Sequence, residues 1–249
     1  FWKREFIAAL RILERGDVPR ERMTGSWAGA MGHTQFMPTT YHAHAVDFDG
    51  DGRRNIWDSV ADGLASTAAY LKHHGWDLDD PWGFEVVLPE GFNYGLSAPE
   101  HEKPASFWRE LGVKRPKGIT VRNTKSPLRL LLPAGAAGPT FLVTRNFNAI
   151  LRYNPAEAYA LAVGHLADRI AGAEPIQSAW PETDRPLTLA ERKELQQRLR
   201  DRGLDTGPVD GIIGRQSRAA IRSYQRTRGL PEDGYPSYQL LELLRQADG

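Results

Sequence analysis

Apolar positions along the chain fall into two kinds of period. Over residues 1–15 they recur at Trp2, Phe6, Ile7, Leu10 and Leu13, a helical stripe that stops near Gly16. Residues 59–74 read as a second helix, with Val60, Leu64, Ala68 and Leu71 turned inward and Gly75 just past its end. Between Trp82 and Arg152 the period shortens. The runs 84–88, 119–122, 128–132 and 141–144 are short, β-type and separated by Pro and Gly. Asn154-Pro155-Ala156-Glu157 then reads as a helix start, with Asn154 as N-cap, Pro155 in the first turn and Glu157 closing a capping box. Tyr159, Ala162, Val163, Leu166 and Ile170 are its expected buried face.

The pattern lapses over 172–186, which is polar, carries Pro175 and Pro181, and reads as a linker between a first domain (1–171) and a C-terminal unit (187–249). At about 60 residues that unit is near the lower limit for independent folding. Thr188 and Glu191 predict a capping box ahead of Leu195 and Leu199. A Gly-rich turn over 207–214 precedes a helix bearing Ala219, Ile221 and Tyr224, and Ser237 caps a last one carrying Leu240, Leu241 and Leu244.

Composition narrows the chemistry more than the fold. A chain of 249 residues has room for one large domain or two smaller ones. Its net charge of +1 gives no field that would favour nucleic acid or an acidic membrane surface. No apolar run approaches the length of a spanning helix, and no signal peptide is visible. The sequence opens on Phe1-Trp2 without an initiator Met, which reads as a processed or truncated piece. Zero Cys removes disulfides, thiol nucleophiles and thiolate zinc sites together.

Two neighbouring segments carry the chemistry. Over 47–58, Asp47, Asp49 and Asp51 occupy positions 1, 3 and 5 of a calcium-type loop. Gly52 sits at the sharp turn, Arg53 offers its carbonyl, and Asp58 falls at position 12. A hard cation needs six or more oxygens in one small shell, and this spacing wraps the backbone to deliver them; the competing reading is a solvated Asp/Gly turn. Asp58 is one methylene shorter than the usual Glu, and Arg54 stands where paired loops carry an apolar residue, so a single structural Ca2+ site is expected. Upstream, 25–41 is rich in Gly and Ala, with Ser26, His33, Thr34 and Gln35 among the rings of Trp27, Phe36 and Tyr41. Donors beside flat rings are common in carbohydrate sites, while a tight core turn would have the same composition.

The run G-S-W-A-G-A-M-G-H-T-Q-F-M-P (25–38), then V-D-F-D-G-D-G-R-R-N-I-W-D (46–58) and N-F-N-A-I-L-R-Y-N-P-A-E-A-Y-A-L-A-V (146–163), closely resembles the membrane-bound lytic transglycosylase B family of bacterial cell-wall enzymes. The resemblance implies an α+β, mainly α fold: a lysozyme-like helical core with a small β-containing insertion. It also implies cleavage of the MurNAc-GlcNAc bond of peptidoglycan glycan strands, with formation of 1,6-anhydromuramic acid. Ser26, Gln35, Tyr153 and Asn154 match family positions in the substrate cleft, and the calcium loop is a family feature. Residues 187–244 resemble a peptidoglycan-binding type 1 domain, a small three-helix module, with Asp210, Gly211 and Gly214 shaping its turn.

Glycosidic cleavage needs an acid for the leaving oxygen. In the resembled family that acid is one Glu on a helix upstream of the region matching Phe1-Trp2. Glu5 and Glu14 fall at ordinary helix positions, so no catalytic residue is assigned within this chain. A companion N-terminal fragment, or an upstream continuation, is expected to carry the Glu, and this polypeptide alone is expected to be inactive. The alternatives are a non-catalytic, calcium-stabilised peptidoglycan-binding protein, or a muramidase that uses water. The implied location is the periplasm or cell envelope, with membrane contact only through an unseen N-terminal anchor.

Overall fold

The computed structural model describes residues 1–182 and 184–247. Thr183, in the segment read as a linker, and Asp248 and Gly249, at the end of the C-terminal unit, lie outside the described residues. The chain divides into two compact units, Phe1–Asp77 and Leu78–Gly249.

The first unit is built on α1 (Trp2–Arg15), α2 (Pro38–His44) and α3 (Val60–His73). Helix α1 stops at Gly16, whose φ of 76° is the left-handed conformation that glycine adopts without a Cβ clash. Its apolar stripe faces outward: Trp2, Phe6, Ile7 and Leu10 are exposed, while Glu5, Ala8 and Ile12 are buried. Glu5 turns inward because it accepts hydrogen bonds from Thr39 N (3.0 Å) and Thr39 Oγ1 (2.9 Å) on α2. Helix α3 departs from expectation in the same way. Ser59 caps it, accepting from Asp62 N at 3.2 Å, and Gly75 follows its end as expected, at φ 89°. The buried face, however, is Asp62, Gly63 and Ser66, with Val60, Leu64 and Ala68 exposed. Gly63 permits the approach of His33, whose Cβ would lie 3.6 Å from an added methyl.

In the second unit, β1 (Gly83–Val86), β2 (Arg129–Leu131) and β3 (Thr140–Val143) form an antiparallel sheet in the order β1-β3-β2. Central β3 is buried along its whole length, which suits its unbroken run Thr-Phe-Leu-Val. The run 119–122 is not a strand. It contributes only an isolated bridge, Lys114↔Thr120, because its neighbours are turns. The region read as β-type also holds two helices, α4 (Ala105–Glu110) and α5 (Arg145–Tyr153). Phe84, Val86, Trp108, Val121, Leu128, Leu130 and Leu142 make one core, with Trp108 fully buried.

Helix α6 (Glu157–Ile170) corrects two further expectations. Asn154 is the C-cap of α5, its N–H donating to Ile150 O at 3.1 Å, and not the N-cap of α6. Its Oδ1 accepts from Ala156 N at 3.2 Å, so the Asn-Pro sequence makes an Asx turn between helices; Ala156 caps α6 without a side-chain bond. The buried face is Ala160, Leu161 and Gly164, while Ala162, Val163, Leu166 and Ile170 are exposed. Gly164 decides this register: an added Cβ would stand 2.6 Å from the Trp82 ring.

Residues 172–182 and 184–187 have no regular secondary structure. Backbone N–H groups of Gln177 and Ser178 donate to the Glu85 carboxylate at 2.8 and 2.7 Å. Helices α7 (Leu189–Asp201), α8 (Arg215–Thr227) and α9 (Tyr238–Gln246) then close on Leu195, Leu199, Ile221, Tyr224, Leu240, Leu241 and Leu244. The Thr188–Glu191 capping box and the Ser237 cap are both present. In the intervening turn, buried Gly211 (φ 81°) donates its N–H to Gln196 Oε1 at 2.7 Å, and Ala220, not Ala219, faces the core.

Candidate functional site

Residues 25–36 fold into a compact loop held by isolated bridges Gly25↔Met31 and Met31↔Phe36. Ser26 opens it with a tight turn: its N–H donates to Ala30 O at 2.8 Å and its Oγ accepts from Ala30 N at 3.2 Å. His33 N donates to Ile56 O at 2.9 Å and ties the loop to the segment after the acidic turn. Phe36 and Tyr41, which the sequence places among the rings beside a ligand, are buried core residues, whereas Trp27 is 96% exposed.

Ser26 and Gln35 come together on one polar cleft of about 500 Å³, lined also by Glu21, Arg22, His33, Trp57 and Asp58. An adjoining apolar hollow of about 420 Å³, formed by Trp2, Phe6, Met23, Trp27 and Met31, shares Gly25 and Ser26 with it. Gln35 has φ 55°, a left-handed conformation that costs a non-glycine residue about 1–2 kcal/mol. Its Nε2 donates to Gly32 O at 3.0 Å, which fixes the side chain at the cleft wall. Backbone strain of this kind concentrates at binding sites, where surrounding structure holds it in place.

Tyr153 and Asn154 lie in the second unit, at the end of α5. The Tyr153 ring is parallel to that of Tyr159, with centroids 6.4 Å apart.

In the acidic loop, carboxylates of Asp47, Asp49 and Asp62 converge to within 4.8 Å of one another. Gly50 and Gly52, at φ 77° and 89°, bend the backbone around Asp47, which accepts their N–H groups at 2.7 and 2.9 Å. Asp51 accepts from Arg53 N at 2.8 Å and stands outside the group. The structure also separates Asp58 from it, pairing that carboxylate with Arg22 at the cleft. The third carboxylate of the group is Asp62 and not Asp58. It is 1% exposed and accepts from Phe48 N and Asn55 N, each at 2.8 Å. Its sequence signal was present but ambiguous, because Asp at the third position of a helix capped by Ser59 already serves the helix end. Glu21 and Arg22 had no such signal; only a short 3-10 turn, Arg20–Arg22, brings them to the cleft.

Glu5 is not poised as an acid. Burial raises its carboxyl, but the bonds from Thr39, together with Arg4, outweigh this and hold it below the usual range.

The transglycosylase SLT domain model matches residues 1–168, more than half of the sequence. The chain belongs to that family. Residues 188–244 match a second model, the putative peptidoglycan binding domain. Among relatives of this SLT-domain protein, membrane-bound lytic murein transglycosylase B of Escherichia coli is 37% identical over 154 residues, covering 60% of this chain and 40% of that one. SltB3 of Pseudomonas aeruginosa, solved in complex with NAG-anhNAM-pentapeptide, is 54% identical with a TM-score of 0.93, covering 97% of this chain and 65% of that one. Escherichia coli Slt35, solved in complex with calcium, is 30% identical with a TM-score of 0.50, covering 67% and 52%. The chain thus spans less than two thirds of the length of each of these relatives. The fold agrees with the mainly α, lysozyme-like architecture expected from the sequence, with its small sheet and its C-terminal helices.

Proposed function

We propose that this chain supplies the glycan-binding cleft of a lytic transglycosylase that cleaves the MurNAc-GlcNAc bond of peptidoglycan. The observation that carries the reading is the joint placement of Ser26 and Gln35 on one polar cleft within the family-matched region, with Gln35 in a strained backbone conformation. In the proposed reaction a carboxylic acid protonates the leaving oxygen as the C1–O bond breaks. The resulting carboxylate then takes the proton of the C6 hydroxyl as that oxygen bonds to C1, closing the 1,6-anhydro ring. Ser26 and Gln35 would position the sugars for this intramolecular attack, and exposed Trp27 offers a flat apolar face beside them. The acid itself is proposed to come from outside residues 1–249. The engagement of Glu5 with Thr39 removes that carboxyl as a candidate.

Incubating the 249-residue polypeptide with purified sacculi tests the reading by product mass. No soluble muropeptides are expected from the chain alone, and anhydro-muropeptides are expected when a segment bearing the Glu is supplied. Products one water heavier would identify a muramidase. Continued silence after complementation would leave only a binding role.

The domain division proposed is 1–171 for the cleft, 172–186 as connector and 187–249 for glycan retention. Tethering a wall-binding module to a cleft raises local substrate concentration without new catalytic contacts. Deleting 187–249 should therefore weaken retention on sacculi in a pull-down, and unchanged retention would reject that role. A wall substrate places the protein in the cell envelope, and we assign it to the periplasm. Among the described residues no helix is long and apolar enough to cross a membrane.

Calcium completes the proposal. The group Asp47, Asp49 and Asp62 offers hard oxygens on a loop already bent by two glycines, and the related Slt35 was solved with that ion. The cation would fasten the loop between α2 and α3.

A further inference from the structure

The C-terminal ends of α2 and α3 meet through a group of rings. His44 is the last residue of α2, Tyr70 lies in the last turn of α3, His73 ends that helix and His74 is its C-cap. The His44 ring stands 5.0 Å from that of Tyr70 and 4.8 Å from that of His73, centroid to centroid. His74 completes the group, 4.3 Å from Tyr70, 5.1 Å from His73 and 5.9 Å from His44. None of the four lines the polar cleft or joins Asp47, Asp49 and Asp62.

Tyr70 also reaches the cleft loop. Its ring packs on that of Phe36, with centroids 5.8 Å apart. Phe36 is 2% exposed and exchanges backbone hydrogen bonds with Met31, at 2.8 and 3.0 Å, so it anchors the loop that carries Ser26 and Gln35. One ring therefore touches both the histidines and the base of the cleft loop. One turn earlier on α3, Ser66 Oγ accepts from Val46 N at 2.9 Å, a second link between α3 and the chain leaving α2.

Three imidazoles at this spacing pack as neutral rings and repel one another as cations. Burial, then His73 and His74 as neighbours, lower the pKa of His44. On α3, Lys72 beside them is exposed and adds no negative charge. Helix α1, the other element packed on α2, meets it elsewhere: Glu5 bonds Thr39, Ala8 O faces His42 Nε2, and Asp17 near Tyr41 is taken by Arg15 and Arg54. A histidine whose folded pKa lies below its unfolded value contributes stability above about pH 6.5. That contribution is lost as pH falls, because the unfolded chain then binds more protons. Glu5, Asp17 and Asp80, whose carboxyls are held low by hydrogen bonds, lose their contribution only below the ordinary carboxylate range, so the two windows are separate.

We propose that His44, His73, His74 and Tyr70 form an acid-sensitive latch: as neutral rings they clasp the ends of α2 and α3, and on protonation they release Tyr70 from Phe36 and loosen the cleft loop, residues 25–36. Each unit by which His44 titrates below its unfolded value shifts the opening equilibrium up to about tenfold in acid. Hydrogen exchange reads that loop without a glycan, so the latch and the proposed role of the cleft can fail separately.

The test uses the full 249-residue chain in EDTA, which keeps calcium out of the comparison. Histidine ring resonances are followed by NMR against pH, in the folded chain and in urea. His44 should titrate below its value in urea, and His73→Gln should move it upward. Amide hydrogen exchange is then compared between the parent and His44→Phe, which keeps a ring and removes the proton. At about pH 7.5 the two should protect residues 25–36 and 38–44 alike. Near pH 5.5 the parent alone should lose protection there, by about threefold or more. Far-UV circular dichroism at neutral pH identifies variants that stay folded, and His44→Gln replaces His44→Phe if the latter does not. The ring titration is read on the parent chain and needs no variant. Titration of His44 at or above its value in urea, equal loss of protection in the parent and a folded His44 variant, or a loss confined to residues outside 25–36 would each overturn the latch.

Discussion

Asp62→Ala is expected to destabilise the first unit by roughly 2–6 kcal/mol even in chelator, and to abolish any stabilisation by calcium. The first effect follows from hydrogen bonding. The Asp62 carboxylate is 1% exposed and accepts from Phe48 N and Asn55 N, so truncation leaves two backbone donors without that partner. A buried unsatisfied donor costs about 1–3 kcal/mol. The second effect follows from the convergence of Asp47, Asp49 and Asp62. In the parent protein, calcium at one hundred times its dissociation constant should add about 2.7 kcal/mol. Thermal melts in EDTA and in Ca2+ measure both quantities. Asp58→Ala separates the structure from the linear spacing. Asp58 pairs with Arg22, so this variant should keep the calcium increment. If Asp58→Ala loses the increment and Asp62→Ala retains it, the twelfth loop position is the ligand after all.

Gly32→Ala should cost about 2–4 kcal/mol and disable the cleft. Gly32 has φ 71°, and an added Cβ would stand 2.6 Å from Ile56 O and 2.7 Å from Ile56 Cγ1. Overpacking of this order costs about 1–3 kcal/mol and the left-handed conformation about 1–2 more, before relaxation. The same carbonyl accepts from His33 N, so relief of the clash must loosen the loop that carries Ser26 and Gln35. Gly50→Ala is the matched control: φ is 77°, but nothing lies within 4 Å of its Cβ. Urea denaturation should show the larger loss for Gly32→Ala, and binding of soluble glycan strands should fall for that variant only. Equal losses in the two would mean that backbone conformation, and not the Ile56 contact, sets the cost.

Much of the site was legible before the fold was known. The Gly/Ala/Gln segment did supply Ser26 and Gln35 to one cleft, and the acidic loop did bring Asp47 and Asp49 together. Glu21, Arg22 and Asp62 were not legible as members of these sites. Their positions depend on a three-residue 3-10 turn and on a helix that folds back over the loop, and neither leaves a periodic trace.

The chain's own order determined what depends on neighbours a few residues away. Thr188 and Ser237 cap their helices as read, and Gly16 and Gly75 follow helix ends, because each acts within its own turn. The three-residue reach of a cap or the spacing of a loop is written directly in the sequence. Only the tertiary structure decided which helix face is buried. In α1, α3 and α6 the most apolar stripe lies outward, and the inward faces hold Glu5, Gly63, Ser66 and Gly164. Close packing and buried hydrogen bonds chose those faces: Thr39 for Glu5, the His33 side chain for Gly63 and the Trp82 ring for Gly164. Periodicity shows that a helix has an apolar side, but burial depends on which distant surface meets it, and small or bonded residues can approach where Leu and Val cannot.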